Sequence, residues 1–81
     1  MTATIRALKA ALAEIDRLDP MIDAAEDNEE LWDSLYGQQF KQTQKAVAAI
    51  VRLTKVEEKT ARAMVVGKRE TINKLLARWD G

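Results

Sequence analysis

Carboxylates are the side chains that keep catalytic or metal chemistry formally open in this chain. There is no histidine and no cysteine, and Ser34 is the sole serine. Ser-His and Cys-His nucleophiles are therefore excluded by composition, as are zinc sites built from His or Cys. The acids are densest at Asp23, Glu26, Asp27, Glu29, Glu30 and Asp33. On a helix Glu26, Glu30 and Asp33 would share a face, able to meet a basic partner or to imitate the spacing of DNA phosphates. A calcium loop would need an Asp-x-Asp-x-Asp-Gly pattern that is missing, and a dinuclear carboxylate site would need Glu-x-x-His pairs. No Gly-rich loop offers backbone amides to a phosphate. The expectation is a protein that is not an enzyme, with no cofactor, no metal and no small-molecule substrate.

The charges are sorted by position. Residues 1–40 hold nine acids and three bases, residues 41–81 four acids and ten bases, so halves of −6 and +6 make up a formal net charge of zero. Such asymmetry suggests that the halves neutralise each other, within one chain or between chains, or that one of them meets a charged partner. The bases Lys41, Lys45, Arg52, Lys55, Lys59, Arg62, Lys68, Arg69, Lys74 and Arg78 are spread along the second half instead of forming a tract. On helices they read first as a solvated face, and zero net charge weakens long-range attraction to nucleic acid.

The elements that must position these groups are helical. Three glycines and one proline in a chain rich in Ala, Leu, Glu, Lys, Arg and Gln favour helix nearly throughout. Ile5, Leu8, Leu12, Ile15 and Leu18 recur at spacings of three and four, with Ala11 on the same stripe. Asp19-Pro20 is expected to end this first helix and to start the next. Asp27 with Glu30 has capping-box spacing for a second helix presenting Leu31, Leu35, Phe40, Val47, Ile50 and Leu53, with Trp32 and Tyr36 on its flank. Thr54 with Glu57 has the same spacing for a third helix near Lys55, although residues 38–79 could equally be one helix or several pieces. In the last segment Ala61, Val65, Ile72, Leu75 and Trp79 follow a seven-residue repeat interrupted by Lys68, with Leu76 beside them. The fold class is all-α, a helical hairpin or three-helix bundle in one domain of residues 1–81. Because so short a chain buries only about 60% of its unfolded surface, self-association is expected to complete the core.

Two surfaces compete for the function. Trp32, Tyr36, Phe40 and Trp79 are the only aromatics, too few for a base-stacking platform but suited to anchoring a protein contact. The other surface is C-terminal, where Ala63 stands four residues before Gly67 and Arg69-Glu70-Thr71-Ile72 follows. This stretch resembles bacterial helix-turn-helix regulators, and Arg69 to Ile72 looks like the start of a recognition helix in their cyclic-nucleotide-receptor family. One residue, Lys68, separates Gly67 from Arg69 where such families have two. The resemblance implies that residues 55–79 read DNA, with Arg69, Thr71, Asn73 and Lys74 facing DNA and Lys68 and Arg78 on phosphates. The plainer reading is a continuous amphipathic helix whose Gly67 permits close helix approach.

The first expectation is a small protein–protein interaction module, an adaptor, inhibitor or regulatory subunit. It would act through Trp32, Tyr36, Phe40 and Trp79, with Glu26, Glu30 and Asp33 adding specificity. A homodimer is expected, antiparallel so that the acidic segment of one chain meets the basic segment of the other. The alternative is a helix-turn-helix transcriptional regulator, and a DNA-mimicking inhibitor comes third. The longest purely apolar run, Ala46 to Val51, is far below the ~20 residues of a membrane span. With Glu14 and Asp16 interrupting any signal-peptide core, a soluble cytoplasmic protein without a membrane partner is expected.

Overall fold

A computed structural model describes residues 2–80 and is all-α, with helices α1 (Thr2–Ala24), α2 (Glu29–Thr54), α3 (Glu58–Gly67) and α4 (Arg69–Asp80). Helices α1 and α2 form a long antiparallel hairpin closed by the turn at residues 25–28, its tip. At about 1.5 Å per residue the 26 residues of α2 span roughly 39 Å, nearly the full 41 Å length of the molecule. The two short helices pack on the other end, the base. The described residues form four helices where a hairpin or three-helix bundle was expected, because residues 38–79 divide into three pieces, the last break falling at Lys68.

The stripe of α1 is buried as its spacing requires: Leu8, Ala11, Leu12, Ile15 and Leu18 are all in the core. The helix does not stop at Asp19-Pro20 but runs on to Ala24 with Pro20 inside it. Pro20 lies about 160–200° around the axis from Leu18 and Ile22 at roughly 100° per residue, and it is exposed. The hydrogen bond it removes, to the Asp16 carbonyl, is thus on the solvent side, while continuing the helix buries Ile22 and Ala25 against Leu35. Gln39 of α2 clasps the same stretch. Its Nε2 donates to the Ile15 carbonyl at 3.1 Å and to Asp19 Oδ1 at 2.6 Å.

Helix boundaries differ from the sequence expectations in two further places. Asn28, not Asp27, caps α2, its side chain accepting from the Leu31 amide at 3.2 Å. Asn is among the best capping residues, and it leaves Glu29 and Glu30 in the first turn beside the positive end of the helix dipole. Thr54 does not cap a third helix; its hydroxyl donates back to the Ile50 carbonyl at 2.8 Å within α2. Helix α2 ends instead at Lys55, which takes the left-handed conformation (φ 63°, ψ 20°) and donates its amide to Val51. α3 then begins at Glu58 after an extended Glu57.

Two hydrophobic clusters result. The base cluster joins Leu8, Leu12 and Ile15 of α1, Val47 and Ile50 of α2, Met64 and Val65 of α3, and Ile72 of α4, with Leu75, Leu76 and Trp79 packed on it. The tip cluster is smaller: Leu18, Ile22, Ala25 and Leu35, with Trp32 packed against it. Between them the α1–α2 seam carries Gln39 and Thr43, both partly buried. Two expected core residues of α2 lie outside: Leu31 is 48% and Phe40 49% exposed. Phe40 sits about 140° around α2 from Leu35 at roughly 100° per residue, so it cannot share the face that α1 covers.

Candidate functional site

Helix α3 explains why that flank of α2 is bare. It runs up α2 from the base, placing Arg62 beside Val47 and Ala48 and Val66 beside Phe40 and Thr43. Ten residues of helix reach only about 15 Å, so α3 stops near the level of Phe40 and the flank above has no cover. There Tyr36 is 50% and Phe40 49% exposed, and Val66, at the edge of α3, is 76% exposed. With Gln39, Thr43, Gln44 and Arg62 they line a groove of about 300 Å³. Trp32 extends the stripe toward the tip. Its ring stacks on Tyr36 with centroids 5.0 Å apart and planes 10° from parallel, so one half-buried ring stiffens one exposed ring.

The expected aromatic set therefore divides. Trp32, Tyr36 and Phe40 form one continuous stripe at a spacing of four residues, while Trp79 is half-buried on the base cluster and does not join them. The acidic set divides as well. Glu30 and Asp33 are on α2, but Glu26 lies in the turn before it and shares no helical face with them. Glu26 sits with Asp27, Glu29 and Trp32 around an open hollow at the tip. Five members of the groove, Gln39, Thr43, Gln44, Arg62 and Val66, lie outside the expected set. Val66 follows the core residues Met64 and Val65, and its apolar side chain one step off their face was the available signal.

The C-terminal candidates meet a different geometry. Lys68, Thr71, Asn73, Lys74 and Arg78 are exposed. Arg69 is turned inward, with Nη1 3.0 Å from each carboxylate oxygen of Asp16 on α1. Its Nε is buried without a hydrogen-bond partner. α3 and α4 meet at Lys68 alone, whose amide donates to the Met64 carbonyl at 3.0 Å while its own carbonyl accepts from Thr71 at 3.1 Å. No three- or four-residue turn separates the helices, as it does in helix-turn-helix units. The continuous helix is also overturned: Ala61 and Val65 pack on α2, and the break lets Ile72 reach the core shared with α1. Gly67 does not serve close packing in either arrangement. Ala63 is exposed, and a Cβ at Gly67 would meet no atom within 4 Å. Gly67→Ala should accordingly raise stability by about 0.5–1 kcal/mol, read as a higher urea midpoint. A lower midpoint would place a close neighbour at Gly67.

The two halves pack on each other, but their opposite charges scarcely pair. Among the described residues, Arg69–Asp16 is the ion pair that joins an acid of residues 1–40 to a base of residues 41–81. Arg17 pairs with Glu14 at 2.9 Å within α1, and this hydrogen bond holds the Glu14 carboxyl below its ordinary range and raises the Arg17 guanidinium. Arg62 pairs with Glu58 at 3.0 Å within α3. The tip is therefore acidic and the base basic, some 40 Å of molecule between their extremes. Among the described residues no group of three or more acids is arranged to hold a metal ion, and no helix is long and apolar enough to cross a membrane. No protein-family model, curated protein or solved structure matches the chain.

Proposed function

We propose that this chain is a small non-catalytic protein–protein interaction module, an adaptor, inhibitor or regulatory subunit, working through the α2 flank that carries Trp32, Tyr36 and Phe40. One observation carries the reading: of the five large apolar side chains left exposed among the described residues, Tyr36, Phe40 and Val66 lie together around one groove. Scattered apolar residues are ordinary on a surface, but a contiguous aromatic patch beside charged residues is the composition of a contact face. Trp32 backs the patch, Glu30 and Asp33 flank it on the tip side, and Glu26 stands beyond them.

The test compares wild type with Phe40→Ser and with Arg69→Ala/Lys74→Ala as immobilised baits. Phe40 is half exposed, so its replacement should leave helicity by circular dichroism unchanged. Loss of the retained protein by tenfold or more with Phe40→Ser, and its retention with the double variant, is the expected result. Equal retention by Phe40→Ser would refute the assignment. Salt-sensitive binding of duplex DNA that disappears in the double variant would put the transcriptional-regulator reading in its place.

A further inference from the structure

We infer that the partner of the Tyr36–Phe40–Val66 groove is a second copy of this chain, docked antiparallel about a two-fold axis at the level of Gln38 and Gln39. The inference rests on the interaction reading above and names its occupant from charge. Glu29 and Asp33 both lie about 20° around α2 from Phe40, at roughly 100° per residue, so the same flank is acidic above the aromatics. Below them the groove is closed by Arg62, which lines it together with Gln44. One flank thus reads acid, aromatic, base along its length.

A two-fold axis inverts that order and sets it against itself, the self-complementary condition of a symmetric dimer. Asp33 and Gln44 are equally far from the Gln38–Gln39 level, about 8 Å each at 1.5 Å per residue. An axis there brings Asp33 of each copy to the Gln44–Arg62 level of the other. It also sets Phe40 opposite Gly37 of the second copy, and Gly37 is an open notch where a Cβ would touch nothing within 4 Å. Arg62 is free to exchange partners because its pairing with Glu58 is an exposed contact within one helix. The same arrangement lays the acidic tip of each chain toward the basic base of the other, a neutralisation that the single chain achieves only at Arg69–Asp16 among its described residues.

Sedimentation equilibrium of the full chain should find a dimer whose dissociation constant rises with salt. Asp33→Lys and Arg62→Glu should each weaken it at least tenfold, because each places like charges at both contacts across the axis. An equimolar mixture of the two variants should associate again, since both contacts are then between opposite charges. Asp33 is outside the Arg62–Glu58 pair, so its variant tests the interface without disturbing α3. A chain that stays monomeric, or a dimer that ignores both substitutions and shows no recovery on mixing, overturns the inference. If a monomer still loses a captured partner through Phe40→Ser, self-association alone is lost; a dimer insensitive to Phe40→Ser and to the charge exchange removes the interaction face as well.

Discussion

Ile50→Ala is expected to destabilise the chain by about 3 kcal/mol, within the range of 2–5 kcal/mol for large-to-alanine changes at enclosed sites. Ile50 is completely buried in the cluster that gathers all four helices, so no single helix can collapse into the space it leaves. Stabilities of about 0.05–0.15 kcal/mol per residue give a domain of this size roughly 4–12 kcal/mol in total. The substitution removes a large part of that. In urea the midpoint should fall steeply while the slope stays near the wild-type value, the mark of lost stability without a change in the surface exposed. A loss under 1 kcal/mol would mean that Ile50 is not held between the helices as described.

Ile72→Ala should cost a similar 2–4 kcal/mol, but locally. Ile72 is the one residue of α4 in the buried core; Leu75, Leu76 and Trp79 are only partly covered. The Arg69–Asp16 pair also ties α4 to the hairpin, but its carboxylate is exposed, so it contributes little. Without the isoleucine, α4 should open while the α1–α2 hairpin persists. Hydrogen exchange would then show protection lost over residues 69–80 and kept in the middle of α2. In a Trp32→Phe background the emission of Trp79 should shift to the red as its ring leaves the base cluster. Uniform loss of protection along the chain would show that α4 is inseparable from the hairpin.

Periodicity revealed α1 almost completely, since a stripe at spacings of three and four admits one buried face, and Leu8, Leu12, Ile15 and Leu18 occupy it. It failed at the end of that helix because a proline rule is local, whereas the burial of Ile22 and Ala25 against Leu35 is tertiary. In α2 the apolar residues cover more than one face. Leu35 and Ile50 turn to α1, Val47 packs beside α3, and Tyr36 and Phe40 point along the same flank beyond the reach of α3. Nothing in the spacing says where a short third helix stops, so Phe40 is indistinguishable from a core residue in the sequence. Glu26 was misplaced for the converse reason: a helical face was assumed for residues that straddle a turn. Arg69 was legible as a cation, but its partner Asp16 lies 53 residues away, beyond any local pattern.

The division of the core into tip and base orders the assembly of the chain. Leu18 and Leu35 close a loop of roughly 17 residues, whereas Leu8 and Ile50 close one of roughly 42, and loop entropy makes the longer closure about 0.8 kcal/mol more costly. Contacts near in sequence form sooner. The hairpin should therefore be seeded at the small Leu18–Leu35 cluster and zip toward the base, with α3 and α4 docking last. In that order the aromatic stripe of α2 is displayed before the C-terminal helices are in place, so a nascent chain could present the α2 part of its contact face before Arg62 and Val66 of α3 complete the groove.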